Sequence, residues 1–342
     1  MNEHTTHPAG VIRSSYPDVL FLGGAVICYV ILATAFIFVV QDDPGQLLVQ
    51  SVLMAPTGVV VFFGKSVWLL PAILLMLWFA RGEHLPRRIA IAIFQLLLCT
   101  VFISTFFLVK VSLTRAVPFY LDPALHQFDV ALHFGHLPLE LSHSLADFIP
   151  AQAAAIVYTT AWIVPAMLLP VFLALIDGDW ERRKRFLWLY LFVWIILGNV
   201  VALAGMSAGP VYFDRLFGTE VYATLPGLLR EAGFQKTALI YTQEFLWSNY
   251  VANDSSGGSG ISAFPSVHVG LATVIALYLA DRSRRLLPIA IAIPVIFQFL
   301  SVYTGWHYAI DGYFSIIVVV LVWHWLKRRA QTPSVDPEPA EA

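Results

Sequence analysis

Three side chains in the C-terminal third of the sequence have the types and spacing for phosphoryl transfer. They are His268, in GISAFPSVHVGLAT (260–273), and His307 and Asp311, in YTGWHYAIDGYFS (303–315). An aspartate four residues after a histidine lies on the same helix face, so its carboxylate can accept a hydrogen bond from the imidazole and fix one tautomer. The other ring nitrogen is then free to attack, and the carboxylate stabilises the imidazolium that forms. A second histidine, protonated, supplies a proton to the departing oxygen. Pro265 and Ser266 suit the first turn of a helix, where unpaired N–H groups and the helix dipole hold a phosphate. Two other readings compete. Each histidine alone fits an interfacial polar residue, and the three together have the ligand types of a two-histidine, one-carboxylate metal site. A metal would leave the helix-start cradle without a role, so the expectation is no metal and no cofactor.

The elements that must position these groups are membrane helices. Hydrophobic residues make up 58% of the 342 and charged residues only 12%, too little polar surface to cover a soluble globule. The net charge of -2 gives no reason to expect a nucleic-acid partner. Cys28 and Cys99 fall in apolar stretches and read as small buried hydrophobes, without a disulfide. The polar start, followed by a long apolar run with no small-residue cleavage site, predicts a first span that stays attached.

Apolar runs that cross roughly 30 Å of hydrocarbon occur at 19–40, 59–80, 89–109, 151–176, 186–206, 264–281, 286–303 and 309–326. Eight spans put both termini on one side. The basic connections 81–88, 177–185, 281–285 and 327–329, with Arg13, lie on that side and mark it as cytoplasmic. Both histidines then face the opposite interface.

That opposite side carries two long aromatic, Gly- and Pro-rich segments, 110–150 and 207–263. Within the second, 224–247 reads as a helix in the interface plane or as a cap over helix ends. The patch at 47–58 reads as re-entrant or interfacial, and the acidic, Pro-rich tail from Ala330 as disordered. His126, His133, His136 and His143, with Asp122 and Asp129, invite a metal reading, but their loose spacing favours interfacial structure, with Asp129 shaping a headgroup pocket.

PSVH (265–268) followed by HYAID (307–311) resembles the second and third signature motifs of the type-2 phosphatidic acid phosphatase superfamily, particularly its inositol phosphorylceramide synthase branch. The resemblance implies a six-helix core over 89–326 and metal-independent transfer through a phosphohistidine. It gives His307 the role of nucleophile, Asp311 that of its orienting acid and His268 that of proton donor. Lipid phosphatases of the superfamily usually carry Lys, six residues, then Arg-Pro after the third core helix. Here MSAGPVYFDR (206–215) has Arg215 as its one cation. Val267 stands where Gly is usual, and Ser301 where Arg is usual. Arg215, or Lys110 and Arg115, are the candidate phosphate clamps beside Ser266; an interfacial snorkelling pair is the other reading of Lys110 and Arg115. These departures resemble the synthase branch.

The expectation is an all-α polytopic membrane protein of about eight transmembrane helices. It comprises a two-span extension (1–84), a six-helix catalytic core (85–328) and a cytoplasmic tail (329–342). It is expected in a bacterial inner membrane, termini cytoplasmic, moving an inositol phosphate-like headgroup from a phospholipid donor to a ceramide or other lipid alcohol acceptor. The alternative is a lipid phosphate or polyprenyl diphosphate phosphatase with the same His/His/Asp site.

Overall fold

The structure is a computed structural model that describes residues 17–49, 85–146, 148–254 and 260–331. The predicted span at 59–80, most of the patch at 47–58, the first half of the 81–88 connection and nearly all of the tail lie outside the described residues.

Among the described residues the protein is helical, with no strand. In chain order the helices are α1 (Pro17–Val40), α2 (Leu85–Ala116), α3 (Asp122–Leu132), α4 (Pro138–Ser144), α5 (Ala151–Ile176) and α6 (Trp180–Ala204). Then come α7 (Pro210–Phe217), α8 (Leu225–Glu231), α9 (Ala238–Val251), α10 (Val267–Arg282), α11 (Leu287–Tyr303) and α12 (Ala309–Gln331).

Among the described residues, six helices are long and apolar enough to cross a membrane: α1, α2, α5, α6, the stretch Arg284–Tyr303 that contains α11, and α12. Their outward faces carry exposed apolar side chains such as Leu32, Ile93, Ile291 and Leu321, which a lipid environment accepts and water does not. This is an integral membrane protein. The predicted span at 264–281 is realised as α10, whose 16 residues reach about 24 Å, short of roughly 30 Å of hydrocarbon. The deficit is made up by non-helical chain. Gly260, Ile261, Ala263, Pro265 and Ser266 are buried inside the bundle, the setting in which irregular backbone is tolerated at membrane depth.

The main core is aromatic and aliphatic, with Phe102 and Phe106 of α2, Tyr190 and Trp194 of α6, and Leu271 and Val274 of α10 packed together. At one end of the bundle, basic side chains pair with aspartates. Arg183 grips Asp18 through two 2.9 Å bonds. Asp281 accepts from Arg185 at 2.6 Å and from Lys327 at 3.1 Å. These contacts tie α1, α6, α10 and α12.

At the other end, residues 207–251 form a cap. Phe213, Tyr222, Leu225, Leu229 and Phe234 bury against Tyr158, Tyr303 and Tyr308. Gln243 Nε2 donates to the Thr304 carbonyl at 3.0 Å. The single interfacial helix expected over 224–247 is instead two, α8 and α9, because the chain turns at Gly233, whose φ of 89° suits a residue without a Cβ.

Candidate active site

The two motif segments meet at the capped end, opposite the basic connections. His307 lies in the short link between α11 and α12, just ahead of the helix and not within it as the spacing suggested. Its Nδ1 is 3.1 Å from Asp311 Oδ2, and that same oxygen accepts the Tyr308 N–H at 3.1 Å. Asp311 is fully buried, and its Oδ1 has no hydrogen-bond partner. With Nδ1 donating to Asp311, Nε2 keeps its lone pair.

Ser266 is the N-cap of α10, where its hydroxyl accepts the Val269 N–H at 3.4 Å. Its own N–H donates to the Asp311 carbonyl at 3.2 Å, fastening the start of α10 to the start of α12. Two residues on, His268 sits between aromatic rings. Trp162 stacks at 3.8 Å and 21°, and Tyr158 at 4.5 Å and 11°. Trp162 Nε1 also donates to the His268 carbonyl at 3.1 Å. The ring centroids of His268 and His307 are 6.2 Å apart, so a phosphoryl group between them can be reached by both.

Tyr158 lies in a π-helical stretch of α5, Ile156–Ala161, and Trp162 follows it. Such stretches re-aim side chains and recur at functional sites. Their placement was not read from the sequence, although two aromatics four apart in a span was the available signal.

The His307 link is held from below by α3. Asp129 accepts the Ala309 N–H at 2.7 Å and the Ile310 N–H at 2.8 Å, capping α12 with a carboxylate where the helix dipole favours one. Asp122 accepts the Ala208 N–H at 2.9 Å, the Gly209 N–H at 2.9 Å and the Tyr308 hydroxyl at 2.9 Å. Burial pushes both carboxyls above the ordinary range, and these donors oppose it. Gly209 has a φ of 93°, and a Cβ there would run into the Trp306 carbonyl, so only glycine brings this turn against the link. Asp129 anchors the link through both of its oxygens.

The candidate cations separate. Lys110, near the end of α2, acts electrostatically on both imidazoles. Gly260 packs on its backbone so closely that a Cβ would stand 2.6 Å from the Lys110 carbonyl. Arg115, one turn further, pairs with Asp42 at 2.5 Å and donates to the Asn253 carbonyl at 3.2 Å. Arg215 makes a two-pronged pair with Glu244 at 3.0 and 2.5 Å and lies over Trp247. Of the three, Lys110 is the one whose charge acts on both imidazoles. Burial pushes the His307 imidazole down to about 3, the Lys110 charge acts the same way, and the Ala263 carbonyl opposes both. Burial thus favours the neutral form of His307, the form that a nucleophilic role requires.

Three of the four loop histidines have local partners. His126 meets Tyr222, His133 meets the Asp129 carbonyl and Tyr313, and His143 meets the Tyr303 carbonyl.

Residues 123–326, more than half of the 342, match the PAP2 superfamily. The chain belongs to the PAP2 superfamily. No curated protein and no solved structure matches it. Membership supports a phosphatase- or phosphotransferase-type lipid enzyme. The PAP2 match takes in both motifs and Asp129 of α3, and begins one residue after Asp122, so Asp122 and Lys110 are contributed from outside it.

Proposed function

We propose that this PAP2 superfamily member moves a phospho-headgroup from a phospholipid to a lipid hydroxyl, in the manner of inositol phosphorylceramide synthases. The observation that carries the reading is charge. Among the described residues, Lys110 is the cation that acts on both imidazoles, while Arg115 and Arg215 are engaged by Asp42 and Glu244. Lys110 is the one fixed positive charge beside neutral His307, and the proton that His268 carries is given up to the leaving oxygen. What stays in the site therefore matches the single negative charge of a diester-derived phosphohistidine. A phosphomonoester would leave one more negative charge on the intermediate in a partly desolvated site.

His307 Nε2 attacks phosphorus and displaces the diacylglycerol oxygen, which takes a proton from His268. Asp311 stabilises the charged ring of the phosphohistidine. In the second half, His268 accepts the proton of the acceptor hydroxyl as that oxygen attacks phosphorus, and His307 leaves. Lys110, with the α10 start, balances the phosphoryl oxygens throughout. The basic end faces the cytoplasm of a bacterial inner membrane, and the site opens to the outer leaflet.

The test is mass spectrometry of purified protein in mixed micelles, with phosphatidylinositol plus ceramide in one reaction and phosphatidic acid alone in another. A ceramide-derived phospholipid supports headgroup transfer. Inorganic phosphate from phosphatidic acid, without such a product, replaces this reading with a phosphatase.

A further inference from the structure

A second concave site lies at the basic end, far from the histidines. α6 and α12 diverge there around a cavity of about 840 Å³, walled by Trp188, Phe192, Leu321, Val322, Trp325 and Leu326. Its mouth carries Lys184, Arg185 and Arg329, with Glu181 as the acidic group lining it. Arg185 is neutralised by Asp281 at 2.6 Å. Among the described residues Lys184 and Arg329 have no ion pair, and Arg329 lies 4.1 Å over the Trp325 ring.

Position along the helices gives the site a direction. Lys184 precedes Phe192 by eight residues on α6, and Arg329 follows Leu321 by eight on α12, so both walls run about 12 Å from cation to apolar floor. Trp188 and Trp325, 48% and 51% exposed, stand midway on opposite walls, as aromatic rings do at headgroup level. A cationic mouth at one depth on both walls, over an apolar trough, is complementary to an amphiphile with an anionic head and a hydrocarbon tail.

We propose that the α6–α12 groove binds an anionic phospholipid from the leaflet at the basic end, its phosphate between Lys184 and Arg329 and an acyl chain along Trp188, Phe192 and Leu321. The site is separate from the histidine site, and the proposal stands independently of the reaction assigned there.

Full-length protein is reconstituted with phosphatidylglycerol or phosphatidylcholine of identical chains, and retained lipid is counted by native mass spectrometry. Phosphatidylglycerol should be favoured by about tenfold or more, in line with two basic side chains near a lipid surface. Lys184→Gln with Arg329→Gln should abolish the preference while leaving histidine-site activity in place. A second readout places the lipid. Dibrominated phosphatidylglycerol should quench tryptophan fluorescence more than its phosphatidylcholine counterpart, and the excess should vanish in Trp188→Phe/Trp325→Phe, which keeps the groove apolar. Equal retention of both lipids, or a preference that survives the double Gln variant, overturns the proposal. Equal quenching by both brominated lipids also overturns it, as when the groove is filled by a second copy or another part of the chain.

Discussion

Asp311 Oδ2 receives two hydrogen bonds at 3.1 Å, from the His307 ring and from the Tyr308 backbone, so one oxygen fixes both the proposed nucleophile and the chain that carries it. Asp311→Asn keeps the volume but lets an amide donor face the ring, favouring the wrong tautomer. We expect kcat to fall on the order of 10³- to 10⁴-fold with KM nearly unchanged. Steady-state kinetics on the lipid substrate measures it, and a variant within threefold of wild type contradicts the orienting role.

Asp129 acts one step further away. Asp129→Ala leaves the Ala309 and Ile310 N–H groups unpaired in a buried setting, which costs roughly 1–3 kcal/mol. Thermal unfolding in detergent should show a lower midpoint, together with reduced kcat as the His307 link loosens. An unchanged midpoint would show that the α12 start does not depend on this cap.

The sequence made the helices legible because apolar length signals a span regardless of tertiary context, and it made PSVH and HYAID legible because their chemistry is local. It did not show that 264–281 would be completed by buried irregular chain, since that depends on neighbours that shield Gly260 to Ser266. The bonds from Asp122 and Asp129 join residues some 180 apart, and no local pattern encodes such partners. For the same reason Arg115, Arg215 and Lys110 looked equivalent until Asp42 and Glu244 were seen to engage the two arginines.

Tyr158 and Trp162 hold the His268 ring between two π faces, which attract an imidazolium once it forms. Trp162→Leu removes the closer face, and we expect kcat to fall by about tenfold, with the protonation-dependent limb of the pH profile moving toward acid. Tyr158→Phe keeps the ring and loses only a hydroxyl that has no partner; it should leave that limb in place. Identical profiles for wild type and Trp162→Leu would remove the aromatic support from the mechanism.

Lys110→Met should reduce kcat/KM by about 10²-fold or more, the effect of losing a charged partner of the transition state. Arg215→Ala, which breaks an exposed pair with Glu244, should change it by less than about threefold. The reverse order would return the phosphate-clamp role to Arg215.

The depressed imidazole of His307 makes stability depend on pH with a definite sign. Free in the unfolded chain it protonates near 6.5, whereas in the folded protein burial holds it neutral down to about 3. Between these values the unfolded state binds more protons, so acidification favours unfolding. The His307 contribution is therefore fully present above pH 6.5 and lost as pH falls toward 3. His307→Gln has no proton to take up, and its melting temperature should fall less over that window. The measurement is the difference in melting temperature between wild type and His307→Gln at several pH values. Asp122 and Asp129, raised by burial, titrate in both proteins and cancel in the difference. A difference that is constant from pH 6.5 downward would mean that His307 is hydrated and protonates normally, which would also remove the reason for its readiness as a nucleophile.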